Sequence, residues 1–538
     1  MPSMYPFDST LLDTNKVPED KDMHAIQKVC TEYSQDLEQM NAQIQRLESM
    51  LLSITQKRDA LQCKVSSLKS IISPLRSLPV EILQRVFQNC LESFPTISTQ
   101  ESPLLLTRIC SRWRSVAINT PELWAAIHVV VPKAVHALEP HGAKYAGIRE
   151  GLQSFLSQSG SLPLSISLQS ATDGVYQNDT EETTRTLELL MPFHRRWKYL
   201  NFRVSLVSLV PLQYLRGEDV PSLETVTISR SHARGEQDFP EVRLPFLDNA
   251  PHFRKLWVAS GFSSFKLTRP ADWGKLTHLT VLYLDILLND LVDIVAICPN
   301  LTECSIPLGG DFDRSTSLTL YKLQKLMITY SFMNANTASR FFNLLTAPVL
   351  REFKMDAGGT FSLDSWPTVL ASIQNLFLRS ACPLTKFSLK GSLDPPSLPE
   401  GFMRSMLQSM PNLEALEFMN CYFMTNDLLK ALSVVLPASD VICPRLIRVQ
   451  FRDTYAFFEE ALMEFLSVRR SPPPLSAITP LAQVIVEDPR PSLSSRVAQF
   501  GKTVEFRAPS SSSVHMDVRN QQIWGRPTSQ TSTALRSL

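Results

Sequence analysis

Cys298 and Cys304 lie six residues apart, His136 and His141 five, and Glu459 is followed directly by Glu460. Each pairing is of a type that can do chemistry: thiolates and imidazoles ligate zinc, and two carboxylates can divide the roles of general acid and general base. None has the company such chemistry needs. The cysteines are too far apart for a zinc knuckle, with no histidine near them in sequence to complete four ligands. The two histidines stand by themselves, and the carboxylate pair falls on the surface of an expected helix. No Walker-type glycine loop, H-E-x-x-H, C-x-x-C or G-x-S-x-G occurs, and there are only 17 glycines in 538 residues. The sequence therefore predicts no catalytic residue, no metal and no cofactor.

Two short basic clusters, "HRRWK" at 194–198 and Arg469-Arg470, could in principle meet phosphates. With 53 Lys and Arg against 52 Asp and Glu there is no overall field to draw in a nucleic acid or an anionic membrane. Both clusters are expected to be solvated faces. Partners must be recognised by local shape. The nine cysteines are scattered, mostly inside apolar segments, as expected of buried thiols in a reducing compartment. The N-terminus lacks a charged region followed by an apolar core, and nowhere do about 18 apolar residues run uninterrupted. The expectation is a cytoplasmic or nuclear protein, with no membrane and no nucleic acid among its partners.

The elements that would position a binding surface are easier to read. From Glu19 to Ser73 there is no Gly or Pro, and apolar residues recur in alternating steps of four and three: Ile26, Cys30, Tyr33, Leu37, Met40, Ile44, Leu47, Leu51, Ile54, Leu61, Val65, Leu68 and Ile72. Only Arg58 interrupts the series. A 3.5-residue spacing keeps one seam toward a partner helix, which predicts a coiled coil about 70 Å long. Homodimerisation and packing on the same chain both remain open. Pro74 must end the helix.

A new helix opens at Leu78-Pro79, with Pro79 suited to the first helical position and Glu81 in the first turn. It carries adjacent apolar pairs, Ile82-Leu83, Val86-Phe87 and Cys90-Leu91, a face too wide for one neighbour. After a polar connection come Ile109-Cys110-x-x-Trp113-Arg114-x-Val116-Ala117 and then Pro121-x-Leu123-Trp124. Together with Leu78-Pro79-x-Glu81-Ile82-Leu83-x-x-Val86-Phe87, these fragments resemble an F-box in order and spacing, over about a tenth of the chain. The resemblance implies a small helical bundle that docks on the Skp adaptor of cullin-based ubiquitin ligases. It puts Leu78, Pro79, Ile82 and Leu83 at the adaptor contact, Val86, Phe87, Ile109 and Trp113 beside it, and Trp124 closing the module. Internal core is an equal reading for Val86, Phe87 and Trp113. The polar connection, "ESFPTISTQESP", is longer than the family's usual pattern.

Past residue 150 a pattern L-x-x-L-x-L returns nine times, measured at Leu223, Phe253, Leu279, Leu301, Leu323, Leu350, Leu384, Leu413 and Leu446, in steps of 30, 26, 22, 22, 27, 34, 29 and 33. "WKYLNF" at 197–202 is a weaker member. Helical patterns lie between, among them "NDLVDIVAIC", "TASRFFNLLT", "GFMRSMLQSM" and "AFFEEALMEFL". The alternation resembles a degenerate leucine-rich repeat, of whose characteristic Asn or Cys only Cys421 is clear. That resemblance implies stacked units with short parallel strands on a concave binding face. Glu224, Thr225, Lys255, Glu352, Glu414, Ala415 and Arg448 are expected to face solvent there, without a uniform sign.

The expected fold is thus α/β: a disordered 1–18, a coiled-coil helix 19–73, an F-box-like module 74–127, a cap or linker 128–200, a strand-helix solenoid 201–470, and a Pro/Ser-rich, largely disordered tail 471–538. Two functions stand open. One is a non-enzymatic substrate-recognition subunit of a ubiquitin ligase, holding the adaptor, through it a cullin, and an unknown protein target. The other is an assembly protein that associates through the coiled coil without a ligase.

Overall fold

The computed structural model describes residues 6–132, 141–170, 177–229, 243–259, 273–282, 288–310, 312–330, 335–357, 366–391, 398–399, 401–420, 423–435, 441–452, 457–474, 476, 478–487, 496 and 504–507. His136, Cys421 and the tail from 508 lie outside them. The fold is mixed α/β, with a long N-terminal helix and a large parallel sheet. The chain divides into two compact units, Met1–Val86 and Phe87–Leu538.

The first unit is dominated by helix α1, Asp20–Ile71. Two carboxylates in its first turn and Lys69 in its last complement the helix dipole. Proline stops it as expected: Pro74–Arg76 form one 3₁₀ turn, closed by the Ser77 hydroxyl donating to the Pro74 carbonyl at 2.8 Å. Helix α2, Val80–Asn89, then begins directly after Pro79, whose carbonyl accepts from the Leu83 amide at 3.1 Å. The apolar seam of α1 is exposed from Tyr33 to Ile72.

The second unit contains a 14-stranded sheet in which strands lie side by side in sequence order, from Ala126–Val131 to Val504–Arg507, every described pairing within it being parallel. All nine L-x-x-L-x-L segments are strands of this sheet. Register corrects one of them. His278 pairs with Lys255, so the residue equivalent to Phe253 is Leu276, not Leu279, and Leu276-x-x-Leu279-x-Val281 carries the pattern in place of Leu279-x-x-Leu282-x-Leu284. An unanticipated further copy, Leu481-x-x-Val484-x-Val486, lies on the strand Gln483–Glu487, inside the segment expected to be tail. The sheet also starts earlier than the expected solenoid, taking in Leu164–Ser170 and Trp197–Arg203. The repeat spacing then runs from 22 to 35 residues.

Every apolar position of the pattern points inward and is buried, from Trp197, Leu200 and Phe202 to Leu481, Val484 and Val486. The intervening helices lie against this face: Phe342 of Ala335–Leu344 sits 6.0 Å from Phe353, Phe377 of Trp366–Ser380 sits 5.3 Å from Phe353, and Phe465 of Glu459–Arg470 sits 6.5 Å from Phe451. Phe353 stacks on Phe387 of the next strand, with centroids 5.9 Å apart. Burying each such ring contributes about 1.5–3 kcal/mol, with about 0.5–1.5 more for a well-oriented pair.

The backbone repeats as faithfully as the side chains. Just before each strand of the sheet from Thr225–Ser229 to Gln483–Glu487, one amide donates to the carbonyl of the equivalent residue in the preceding repeat: Glu224 to Lys198, Arg254 to Glu224, Thr277 to Arg254, Thr302 to Thr277, Gln324 to Thr302, and onward through Arg351, Thr385, Glu414 and Ile447 to Ala482, at 2.8–2.9 Å throughout. This ladder holds the strands in step despite the unequal repeat lengths.

Arginines brace the helices. Arg379 donates to the Phe342 carbonyl at 2.7 Å, and Arg196 to the Leu162 carbonyl at 2.8 Å and the Ser159 hydroxyl at 2.6 Å. Arg469 is fully buried and donates to the carbonyls of Leu432 (2.6 Å), Cys443 (3.1 Å) and Ile442. Ser159, Phe342 and Leu432 sit at or near the ends of helices, where carbonyls lack intrahelical partners and a cation is favoured. Burial lowers the Arg469 guanidinium to about 10, so it stays charged at neutral pH. The expectation of solvated basic clusters is therefore corrected: Arg469, Arg196 and the fully buried Trp197 are structural.

Candidate functional site

Helix α2 resolves its apolar excess into two stripes. Leu83 and Phe87, four residues apart, are fully buried. Ile82 and Val86, also four apart and one position earlier, are 45% and 39% exposed, and Pro79 continues their line toward the N-terminus, likewise exposed. Residues one position apart differ by about 100° around a helix, so one stripe can be core while its neighbour faces out. Leu78 is half-buried.

The rest of the module belongs to the second unit. Phe87 and Trp113 meet with ring centroids 4.9 Å apart, and Trp113 is half-buried. Helix α3, Ser111–Ile118, is opened by Cys110, whose Sγ accepts from the Trp113 amide at 3.4 Å. Ile109 precedes it and is 54% exposed. Trp124 is buried, donates from Nε1 to the Ala117 carbonyl at 2.8 Å and meets Phe155 edge-on at 5.0 Å.

The nine residues nominated from sequence thus separate. Pro79, Ile82, Val86 and Ile109 offer apolar surface, Leu78 and Trp113 part of theirs, and Leu83, Phe87 and Trp124 none. The long polar connection is pinned to the sheet. The His128 amide on the first strand donates to the Pro95 carbonyl at 2.8 Å, Glu101 accepts from the Thr96 hydroxyl at 2.7 Å and amide at 3.1 Å, and Phe94 meets Tyr199 at 5.2 Å. Those contacts account for the extra length.

The face of the sheet opposite the core is the other candidate. In register across neighbouring strands stand Lys255, His278, Glu303, Lys325, Glu352 and Lys386. Lys325 bridges Glu303 at 3.5 Å and Glu352 at 3.6 Å, while Lys386 reaches Glu417 at 2.7 Å and Lys390 reaches Asp356 at 3.0 Å. Burial, with Lys255 and Lys325 on either side, lowers His278 to about 4. Its 3.7 Å approach to Glu303 is accordingly not an ion pair at neutral pH. The mixed sign expected of this face is what stands there, with one correction: Ala415 is buried. Trp257 adds a half-buried ring beside the charged row.

Cys298 and Cys304 are buried, and burial, with Cys298 nearby, pushes the Cys304 thiol well up, against the thiolate that zinc requires. Burial likewise raises Cys443, to about 12. Four of the eight described cysteines, Cys30, Cys63, Cys90 and Cys110, are exposed, contrary to the expectation of buried thiols. Glu459 and Glu460 receive Arg496 at 3.1 and 3.2 Å. His141 begins the helix His141–Gln158. Among the described residues no group of three His, Cys, Asp or Glu could hold a metal ion, and no helix is long and apolar enough to cross a membrane.

No family model matches the sequence, and no curated protein matches it. Among solved structures, one similar chain is from the crystal structure of the Rad7 and Elc1 complex in yeast, at 14% identity and a TM-score of 0.36, covering 83% of this chain and 96% of that one. A likeness of this size carries no statement about function or partner.

Proposed function

We propose that this protein is a non-enzymatic substrate-recognition subunit of a cullin-based ubiquitin ligase, its F-box-like module contacting a Skp-family adaptor and its sheet, read as a degenerate leucine-rich-repeat solenoid, holding a protein target. The observation that carries the proposal is the exposed stripe Pro79-Ile82-Val86 next to the buried stripe Leu83-Phe87. A helix needs only one apolar stripe to anchor itself, so a second one left in water suits a partner. Such a subunit acts by position: it raises the effective concentration of the target beside the modifying machinery. The even mix of charge on the open sheet face suits a folded protein surface better than a polyanion.

The test is co-purification of the full-length chain with adaptor and cullin, comparing wild type with Ile82→Asp/Val86→Asp. Loss of both partners with an unchanged melting curve supports the proposal; retention of both overturns it. The exposed seam of α1 favours the second reading, an assembly protein without a ligase, and self-association with no adaptor bound would decide for it.

A further inference from the structure

The heptad seam of α1 is an exposed apolar face, and its charge pattern specifies what covers it. In heptad terms Met23, Cys30, Leu37, Ile44, Leu51, Arg58, Val65 and Ile72 fall at a, and Ile26, Tyr33, Met40, Leu47, Ile54, Leu61 and Leu68 at d. From Tyr33 onward the large apolar members of both sets are exposed. Residues 20–45 carry five carboxylates against two Lys or Arg, and residues 46–71 carry five Lys or Arg against two carboxylates. The helix is therefore acidic in its first half and basic in its second.

We infer that α1 pairs with α1 of a second copy of this chain in an antiparallel coiled coil, with the two-fold axis passing close to Ser49. Antiparallel pairing sets the acidic half of each helix against the basic half of the other. It also places each a residue from Cys30 to Ile72 opposite a d residue: Ile72 meets Ile26, Val65 meets Tyr33, Leu51 meets Leu47, Ile44 meets Ile54, Leu37 meets Leu61 and Cys30 meets Leu68. Arg58, the one charged core position, then faces Met40 and not its own copy. Its guanidinium bonds Asp59 of the same helix at 2.6 Å, at the surface. Along one flank Lys64 lies across from Asp36, twice per dimer by symmetry, and at the axis Met50 meets Met50. The cost is one like-charged contact, Glu48 with its copy.

A parallel dimer does worse on the same residues. It stacks Arg58 on Arg58 in the core, sets Lys64 against Lys69 on both flanks and aligns like-charged halves along the whole length. A fold-back partner of equal length and complementary apolar spacing is not provided by the other described helices, the longest of which has 18 residues. The antiparallel arrangement sends the two C-terminal ends of α1 out at opposite ends of the rod, about 70 Å apart. The modules that begin at Pro74 of each chain are then presented bivalently. The inference stands independently of the adaptor proposal.

The test uses the full-length chain carrying Leu68→Cys, a substitution at an exposed position. Mild oxidation with copper phenanthroline is followed by mass spectrometry of the joined peptides, alongside molar mass from light scattering. The expected result is a dimer with Cys30 of one chain joined to residue 68 of the other. A Cys30–Cys30 link, or a chain that stays monomeric at tens of micromolar, overturns the inference. In a second arm, Lys64→Glu is expected to weaken the dimer on the order of tenfold, and Asp36→Lys added to it to restore most of the loss. In a parallel dimer Lys64→Glu would strengthen association by facing Lys69, which again overturns the inference.

Discussion

Leu51 on α1 and Leu416 on the sheet are the same side chain in opposite circumstances: one is 69% exposed, the other fully buried. Both belong to regular apolar series, and in both the series is what makes the element recognisable. The difference lies in who completes the surface. A strand of the sheet is flanked by the next repeat of the same chain, so its leucine is covered as soon as the neighbour folds. A lone 52-residue helix offers its seam to no described neighbour, and its leucines remain available to another molecule. Helix α2 compresses the contrast into a single turn, with Leu83 inward and Ile82 outward.

That contrast is open to attack from its strongest side first. Leu416→Ala should cost about 2–5 kcal/mol in urea unfolding of the second unit, because a buried cavity remains. Leu51→Ala should change the unfolding of dilute protein by no more than about 0.5 kcal/mol; a larger loss would mean that its exposure has been misjudged. Arg469→Met should cost about 3 kcal/mol, since three carbonyls, that of Leu432 at a helix end and those of Ile442 and Cys443 before the next strand, lose their donor inside the protein. On α2, Leu83→Asp should unfold the helix, while Ile82→Asp should leave the melting temperature within a few degrees and weaken capture of the proposed adaptor about thirtyfold, as loss of one anchor of about 2 kcal/mol would.

The smallest effect concerns pH. His278 has a folded value near 4 against an ordinary 6.5, so the unfolded chain binds the extra proton between those limits. Stability should be at its full value above pH 6.5 and fall gradually toward pH 4. His278→Gln should flatten that part of the unfolding profile, and an unchanged slope would remove His278 as its source.

Much of the fold can be read from the sequence, because both series are periodic. The 3.5-residue period locates α1 to within a residue or two, and L-x-x-L-x-L locates nine strands. The features that escape reading depend on neighbours that a linear pattern does not contain. "LAQVIV" is easily missed because proline-rich sequence on its N-terminal side lowers the apparent order, although a preceding strand supplies its hydrogen bonds. Leu279 competes with Leu276 because three apolar residues in a row of alternating ones permit two frames, and only pairing with Lys255 fixes the choice. Arg469 resembles a solvated charge, since nothing in "SVRRSPP" announces three carbonyls converging on one of two adjacent arginines. At the candidate site the residue types are legible, but the division between Ile82 and Leu83 is not, because adjacent apolar residues look alike until packing chooses between them.

The amide-to-carbonyl ladder that precedes the strands, from Lys198 to Ala482, has an evolutionary consequence. It fixes the pitch of the array at the entrance of each of these strands and leaves the segment beyond the strand unconstrained in length. Repeats along the array range from 22 to 35 residues without disturbing a single rung. Segments downstream of the strands are therefore where a lineage can lengthen, shorten or exchange sequence and acquire a new client while the framework stays as it was.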